Sequence, residues 1–265
     1  MASQKIIDYK PKSLAEYIDV VESLQVNSLG ALWYRGASRL SHRLLPSLYR
    51  QRPNPAAFES SLSSLEEQLV ARFRDRSLPF HNRQLKNGLE TLFFMQHFGV
   101  PTRLLDWTAN PFVGLFFALR NARPADRIAV WILDPARWNQ AALSRASYDG
   151  GPLDPANELL SGYKSVGDMS NLSEVPVAIF GAHNSPRIVA QQGTFVVFGS
   201  KTSPMETLYR SGEFPETSMA RIIFTGRTID TLRDSLFNHG ITECAMFPDL
   251  EGLGRDLCRT FGFYT

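Results

Sequence analysis

The chain has 265 residues, 43% of them hydrophobic, which is enough to bury a sizeable core in one large domain or two small ones. The formal net charge of +2 at pH 7 neither requires nor excludes a nucleic-acid partner, because a basic surface could still be local. No apolar run reaches the roughly 18 residues of a membrane span, so no membrane partner is expected.

The first part of the chain, about residues 13–90, is predicted to be mainly helical. The opening residues lack the apolar core of a secretory signal, which predicts a cytoplasmic location. Ser13 and Glu16 form a capping-box pattern before apolar residues at helical spacing. Residues 31–36 are predicted as a short aromatic strand. It ends in Arg35-Gly36, a pair suited to approach an anion, although an arginine on a surface edge strand gives the same pattern.

A basic run follows at residues 38–52, with arginines and a histidine among leucines and a tyrosine. Such a run can follow a phosphate backbone, and a solvated arginine-rich loop has the same composition. The next helix is predicted to open at residues 63–66. Its apolar stripe consists of Leu62, Leu65, Leu69 and Phe73.

Polar residues are densest between two apolar blocks, at residues 96–119. Gly99 and Pro101 end the preceding helix, and residues 103–107 are predicted as a buried strand. Asn110 and Pro111 start an apolar helix that must be buried. The polar side chains around these elements form either an internal hydrogen-bond network or a site. They are Gln96, His97, Thr102, Arg103, Asp106, Thr108 and Asn110.

The remainder of the chain predicts further strands and one long excursion. Residues 139–173 are rich in glycine and serine and have little periodicity, which predicts a surface excursion or lid. Residues 187–198 are predicted as two β-rich runs joined through Gln191-Gln192-Gly193, whose amides either bind a sugar or base edge or tie a bulge together. The other predicted elements are strands at 127–133, 175–180, 220–224 and 243–247, a helix at 229–237, and an N-cap at Asp249. Cys244 and Cys258 lack metal-ligand spacing, so no metal is expected.

Six motifs occur along the chain in the same order as in a known family. They are Tyr34-Arg35-Gly36, residues 45–50, residues 96–108, Asn110-Pro111, Arg187-Ile188 with Gln191-Gln192-Gly193, and residues 247–253. Together they resemble the FRG domain family, which is named for its aromatic-Arg-Gly motif. The resemblance runs from about residue 13 to the C-terminus and implies one domain over residues 1–265, with a sheet core from about residue 91. The family occurs in bacterial and phage proteins and is described mainly as a domain of unknown function.

The strand layout is also similar to that of ADP-ribosyltransferases. Those enzymes place an arginine, a serine or threonine, and a glutamate on successive strands of a split β-sheet. By this resemblance Arg35 holds the pyrophosphate of NAD, Thr108 orients the nicotinamide ribose, and Gln191 or Gln192 stands at the glutamate position. Glutamine cannot accept a proton, so the carboxylate role passes to another residue or is lost. The candidates for it are Asp106, Glu206, Glu213 and Asp249.

The resemblances imply an α+β (mixed α/β) fold in a single domain, with an ADP-ribosyltransferase-like split β-sheet and flanking helices. The implied function is transfer of ADP-ribose from NAD to a macromolecule, with RNA or DNA as candidate acceptors, in a bacterial toxin or phage-defence effector. A regulatory partner such as an antitoxin is then expected. The alternative is a non-catalytic module that binds a nucleotide or a protein.

The expected site residues follow from the same resemblances. The expected catalytic residues are Arg35, Thr108, Gln192, Asp106 and His97. The expected NAD contacts are Tyr34, Arg35, Gly36, Thr102, Arg103, Thr108, Asn110 and Gln191.

Overall fold

The computed structural model describes residues 4–50, 62–81, 85, 88–123, 125–164, 174–181 and 185–263. Its strands are β1 (Ile7–Tyr9), β2 (Trp33–Ala37), β3 (Leu104–Thr108), β4 (Arg127–Leu133), β5 (Val177–Phe180), β6 (Gly193–Val197) and β7 (Met219–Thr225). Its α-helices are α1 (Leu14–Val26), α2 (Ser47–Arg50), α3 (Leu62–Ser77), α4 (Gly88–His97), α5 (Pro111–Leu119), α6 (Pro135–Ala142), α7 (Ser161–Lys164), α8 (Pro186–Ala190), α9 (Met205–Arg210), α10 (Thr228–Asn238), α11 (Glu243–Met246) and α12 (Leu250–Thr260).

The strands form one mixed sheet in the order β1-β7-β4-β2-β3-β6-β5. Strand β1 pairs parallel with β7, and the other pairs between these strands are antiparallel. Strands β2 and β3 are joined by a single residue pair, Tyr34 with Thr108, whereas each pairs along five residues with its other neighbour. The sheet therefore opens between β2 and β3. The mixed α/β class with flanking helices is confirmed.

Both faces of the sheet are buried, as the alternation along β4 shows. Ile128, Val130 and Ile132 belong to a first core cluster, which also contains residues of α1, α5 and α10. The intervening residues of β4 belong to a second cluster with α6 and α9. A third cluster fills the space between β5, β6 and helices α3, α4 and α7. A strand that is apolar on both faces requires cover on both sides, and the helices supply it.

Two segments predicted as strands are helical, and the predictions were wrong for the same reason. Residues 187–190 lie in α8, where Pro186 is at the first turn and the Ser185 hydroxyl accepts a hydrogen bond from the Ile188 amide (3.3 Å). Residues 243–246 form α11, which is capped by the Thr242 hydroxyl. Short apolar runs fit either structure, and the caps decide for the helix. Gly193 consequently begins β6 instead of interrupting a strand.

The excursion predicted at residues 139–173 is not a surface lid over its described part. Residues up to 142 complete α6, and Leu153 forms a parallel bridge with Ile179 of β5. Leu153, Leu160 and Tyr163 are fully buried in the third cluster. Apolar residues without regular spacing can still fill a core gap, which periodicity cannot reveal. Residues 165–173 of the predicted excursion, and Arg52 of the basic run, lie outside the described residues.

Within the described ranges, no helix has both the length and the apolar character needed to cross a bilayer.

Candidate functional site

A cleft of about 200 Å³ lies where the sheet opens between β2 and β3. It is built from the middle of β2, helix α2, the end of α4, and the chain that leads into β3. Its lining residues are Arg35, Ser47, Arg50, Gln96, Gly99, Val100, Leu104, Leu105 and Asp106. We call it the Arg35 cleft.

Arg35 bridges the opening between β2 and β3. Its guanidinium donates a hydrogen bond to the backbone carbonyl of Asp106, at a point where β2 and β3 no longer pair. The same guanidinium lies 3.9 Å from the Asp106 carboxylate. Burial lowers the pKa of Arg35 to about 10, with Asp106 acting against this shift and Arg50 adding to it. The side chain is 20% exposed, so a protonated guanidinium remains reachable from the cleft.

Asp106 is positioned by a short chain of hydrogen bonds. The Thr102 hydroxyl donates to the Gln96 side-chain oxygen (2.5 Å), and the Gln96 amide donates to the Asp106 carboxylate (2.9 Å). Thr102 is fully buried, whereas the Asp106 side chain is 57% exposed. Gly99, with φ of +76°, ends α4 and turns the chain toward β3. The result is a carboxylate that is fixed in place and open to solvent.

Further cationic groups lie near Arg35 and Arg50. Burial lowers the pKa of His42, and the charges of Arg39, Arg50 and Arg35 lower it further, opposed by Asp126. Part of the basic run is therefore concentrated beside the cleft. Arg43 belongs to a different contact, since it pairs with Glu206 at 2.6 Å.

Several expected NAD-binding groups are already engaged inside the protein. Arg103 is fully buried, pairs with Glu66 (3.4 Å) and donates to the Tyr163 carbonyl (2.6 Å). The Thr108 hydroxyl donates to the Gln191 carbonyl (2.7 Å) and accepts from the Asn110 amide (3.0 Å). These groups hold elements together and do not line the cleft.

The remaining expected residues also have structural surroundings. Asn110 caps α5 by accepting from the Phe112 and Val113 amides (2.9 and 3.4 Å). Tyr34 packs in the first core cluster. Gly36 lies beneath α5, because a Cβ there would overlap the Ala118 nitrogen and the Gly114 carbonyl oxygen.

Gln191, Gln192 and His97 lie outside the lining of the cleft. The Gln191 amide donates to the Met246 carbonyl (2.9 Å). Gln192 is exposed in a left-handed conformation (φ of +44°), and its carbonyl accepts from the Ala109 amide (3.1 Å). His97 is half-buried at the end of α4, with its ring 4.8 Å from that of Phe98.

The cleft also contains residues outside the expected catalytic and NAD-binding sets. Ser47 and Arg50 belong to the motif at residues 45–50, and Gln96 begins the motif at residues 96–108. The motif at residues 45–50 pointed to Ser47 and Arg50, but it lies in the basic run, whose composition is also that of a solvated loop. Among the described residues, no group of three or more His, Cys, Asp or Glu side chains is placed to hold a metal ion.

A larger cavity of about 780 Å³ lies between α5, α10 and α12. Its charged side chains largely satisfy one another: Arg120 pairs with Glu243 (2.9 Å), and Arg259 with Asp234 (2.8 Å). Among the residues that the structure describes, the charges of the Arg35 cleft are less fully paired, which makes it the stronger candidate for a ligand.

Comparison with curated proteins and with solved structures finds no match in either set. A family model does match, over residues 30–127, and its description is FRG domain. The matched segment runs from just before β2 to the first residue of β4, and so contains every residue that lines the Arg35 cleft. This part of the chain is therefore similar to the FRG domain family.

Proposed function

We propose that the Arg35 cleft binds the phosphate groups of a nucleotide. The observation that carries this proposal is the lining of the cleft, where the guanidinium groups of Arg35 and Arg50 meet the Ser47 hydroxyl and the Gln96 amide. Arginine suits such a ligand because its planar fork can donate two parallel hydrogen bonds to phosphate oxygens. The Ser47 hydroxyl adds a donor without adding charge, and Gln96 keeps the Asp106 carboxylate in place beside Arg35.

The volume of the cleft limits which part of the ligand it can hold. At about 200 Å³ it is smaller than the roughly 300–1,000 Å³ of pockets that enclose a whole small molecule. We therefore expect a phosphate or pyrophosphate group to enter, while the nucleoside lies on the surface outside. NAD meets this condition, because its pyrophosphate could enter the cleft while its two nucleosides remain outside. Thr108 receives no role in holding the nicotinamide ribose, because backbone groups already engage its hydroxyl.

ADP-ribosyl transfer from NAD is a second candidate, favoured by the position of Asp106. The glutamines at 191 and 192 cannot take a proton, but the exposed Asp106 carboxylate lies beside Arg35. As the bond from ribose to nicotinamide breaks, an acceptor hydroxyl would attack the ribose carbon and Asp106 would accept its proton. The acceptor would be RNA, DNA or another protein. This chain would then act as a toxin or phage-defence effector.

Calorimetry with inorganic pyrophosphate, ADP and NAD tests the binding function. Charge-assisted hydrogen bonds contribute about 1.5–3 kcal/mol each, so Arg35→Gln and Arg50→Gln should each weaken binding roughly 10-fold or more. Arg50 is exposed and its substitution should leave the fold intact. Arg145→Gln removes the same charge from an exposed turn elsewhere and should bind like the wild type. Failure of the wild type to bind all three ligands, or unchanged affinity in Arg50→Gln, contradicts the proposal.

The pKa of His42 provides a second, independent measure of anion binding in the cleft. Its pKa lies below 6.5 partly because Arg39, Arg50 and Arg35 repel the proton, so a bound anion should raise that pKa. By linkage, the ligand should bind more tightly as the pH falls through the pKa of His42. An NMR titration of the His42 ring, with and without pyrophosphate, measures the shift. An unchanged pKa would place the anion elsewhere.

Labelled NAD incubated with RNA, DNA and protein acceptors tests the catalytic candidate. We expect transfer to be lost in Asp106→Asn while NAD binding remains. Binding without transfer or nicotinamide release in the wild type leaves only the binding function.

A further inference from the structure

The described part of the basic run, residues 38–50, starts and ends at the Arg35 cleft. It follows β2, whose Arg35 lines the cleft, and it includes α2, whose Arg50 lines the cleft as well. Arg39 comes four residues after Arg35, so their Cα atoms are at most about 14 Å apart. Residues 31–50 contain four arginines and one histidine but no lysine and no acidic residue. The run therefore brings positive charge to the edge of the cleft.

The run is attached to the rest of the protein at two places. The Leu40 amide donates a hydrogen bond to the Arg127 carbonyl at the start of β4 (2.7 Å). The Leu44 amide donates to the Glu206 carboxylate (3.1 Å), and the Leu44 carbonyl accepts from the Met205 amide of α9 (3.1 Å). Leu44 is also fully buried. These contacts hold the basic side chains at defined positions, which a loose solvated loop would not do.

Arg127 lies on the same face of the sheet as Arg35. In the ladder between β2 and β4, Arg35 is paired with Trp131, and paired residues point to the same face. Side chains two residues apart along a strand share a face, so Arg127 points to the same side as Trp131. This is the side on which Arg35 lines the cleft. Arg127 therefore adds to the charge of the run.

Four basic side chains at and beside the cleft are exposed and have no partner among the residues that the structure describes. They are Arg39, His42, Arg50 and Arg127, and we call them the basic surface. Three arginines lower the pKa of His42 against one aspartate, Asp126, so the local charge is positive. Grouped charges of one sign create a potential that attracts a polyanion. The basic surface thus has the character of a site for an extended anionic partner.

We propose that the basic surface binds the phosphodiester backbone of a single-stranded nucleic acid, one phosphate of which occupies the Arg35 cleft. The inference rests on the proposed function, because it takes the nucleotide in the cleft to be part of a strand. Phosphates on either side of that nucleotide would meet Arg39 and Arg127, whose planar guanidinium groups match phosphate oxygens.

Two observations favour a single strand over other polyanions. A nucleic-acid strand supplies phosphates in succession, so the cleft and the surface beside it can bind the same chemical group. The cleft of about 200 Å³ takes in one phosphate group only if the backbone bends toward it. A flexible single strand can do so, whereas a duplex is stiff over about 150 base pairs.

Fluorescence anisotropy with labelled single strands tests the inference. The probes are RNA and DNA of one sequence and about 12 nucleotides, within the usual site size of single-strand binders. Arg39→Gln combined with Arg127→Gln should weaken binding of the strand at least about 10-fold. The slope of log K against log salt should become shallower by about 1.4, because each phosphate contact contributes about 0.7. A tighter complex with one of the two probes distinguishes RNA from DNA.

Two controls separate local contacts from net charge and from damage to the cleft. Lys12→Gln combined with Arg145→Gln removes the same charge from exposed positions elsewhere and should bind the strand like the wild type. Calorimetry should show the same pyrophosphate affinity in the Arg39→Gln and Arg127→Gln double variant as in the wild type, because neither residue lines the cleft. Excess pyrophosphate should weaken binding of the strand, since both ligands use the cleft.

A wild type that binds pyrophosphate but neither strand overturns this inference and leaves the proposed function intact. Unchanged strand affinity in the Arg39→Gln and Arg127→Gln double variant overturns it too, as does a strand that pyrophosphate fails to displace. Poly-L-glutamate that binds as tightly as the strands would assign the surface to an acidic protein instead. A wild type that binds a strand but not pyrophosphate contradicts the proposed function, and with it the place of the strand in the cleft.

Discussion

In the Tyr34-Arg35-Gly36 motif, Arg35 faces the cleft side of the sheet, whereas Tyr34 and Gly36 face the side covered by α5. Tyr34 is packed in the first core cluster, where burial raises its pKa to about 12. Arg35 lies on the other side of the strand and lines the cleft. Gly36 turns back toward α5. Side chains alternate along a strand, so a contiguous motif cannot act on one ligand as a unit. The sequence singled out Arg35, which lines the cleft, but the α5 residues that contact Gly36 are 78 to 82 residues away along the chain and could not be identified.

Gly36→Ala should destabilise the protein without touching the cleft. The added methyl group would overlap the backbone of α5 at Ala118 and Gly114, which cannot move aside like a flexible side chain. Overpacking of this kind costs about 1–3 kcal/mol, which urea denaturation would show as a lower midpoint with an unchanged slope. Gly30→Ala is the matched control, because its Cβ would meet nothing within 4 Å. Equal stability of the two variants would contradict the packing role.

At the scale of elements, the local sequence was sufficient to predict an element where its cap and its apolar run are adjacent in the chain. Residues 103–107 and the helix after Asn110-Pro111 were predicted correctly, because the strand is bounded by turns and the helix by its own N-cap. Helix α11 was missed because part of its capping comes from Asp256, beyond its own segment. The arrangement of Thr102, Gln96 and Asp106 was also out of reach, since it depends on how α4 meets β3.

Two substitutions of Asn110 distinguish a role in capping α5 from a role in binding the ligand. Asn110→Ala should lower stability by about 1 kcal/mol, because the first amides of α5 lose their acceptor. Asn110→Asp keeps a side-chain oxygen in place and adds a charge that favours the helix N-terminus, so it should retain the wild-type stability. Thermal unfolding measures both variants. Pyrophosphate affinity should be the same in each, and a selective loss of affinity in Asn110→Asp would instead place Asn110 at the ligand.

At the scale of the whole molecule, the β3 side of the opening in the sheet is held by long-range contacts. Arg103 at the start of β3 forms a buried pair with Glu66 of α3 and also bonds to the Tyr163 carbonyl of α7. Burial raises the pKa of Glu66, with the charge of Arg103 acting against that shift. These partners are 37 and 60 residues from Arg103. The motifs indicated which residues matter, but only the packing separates those that brace the half-sheet β3-β6-β5 from those that line the cleft.

The described part of the excursion provides the last test, because it belongs to the third core cluster. Leu153 is fully buried between the sheet and the segment around Leu160 and Tyr163. Leu153→Ala should therefore cost about 2–5 kcal/mol of unfolding free energy, as other buried leucines do. Leu29→Ala truncates an exposed leucine and should change stability by less than about 0.5 kcal/mol. Urea denaturation compares them. A detached surface loop would make the two variants alike, whereas a core role makes Leu153→Ala unfold at a lower urea concentration than Leu29→Ala.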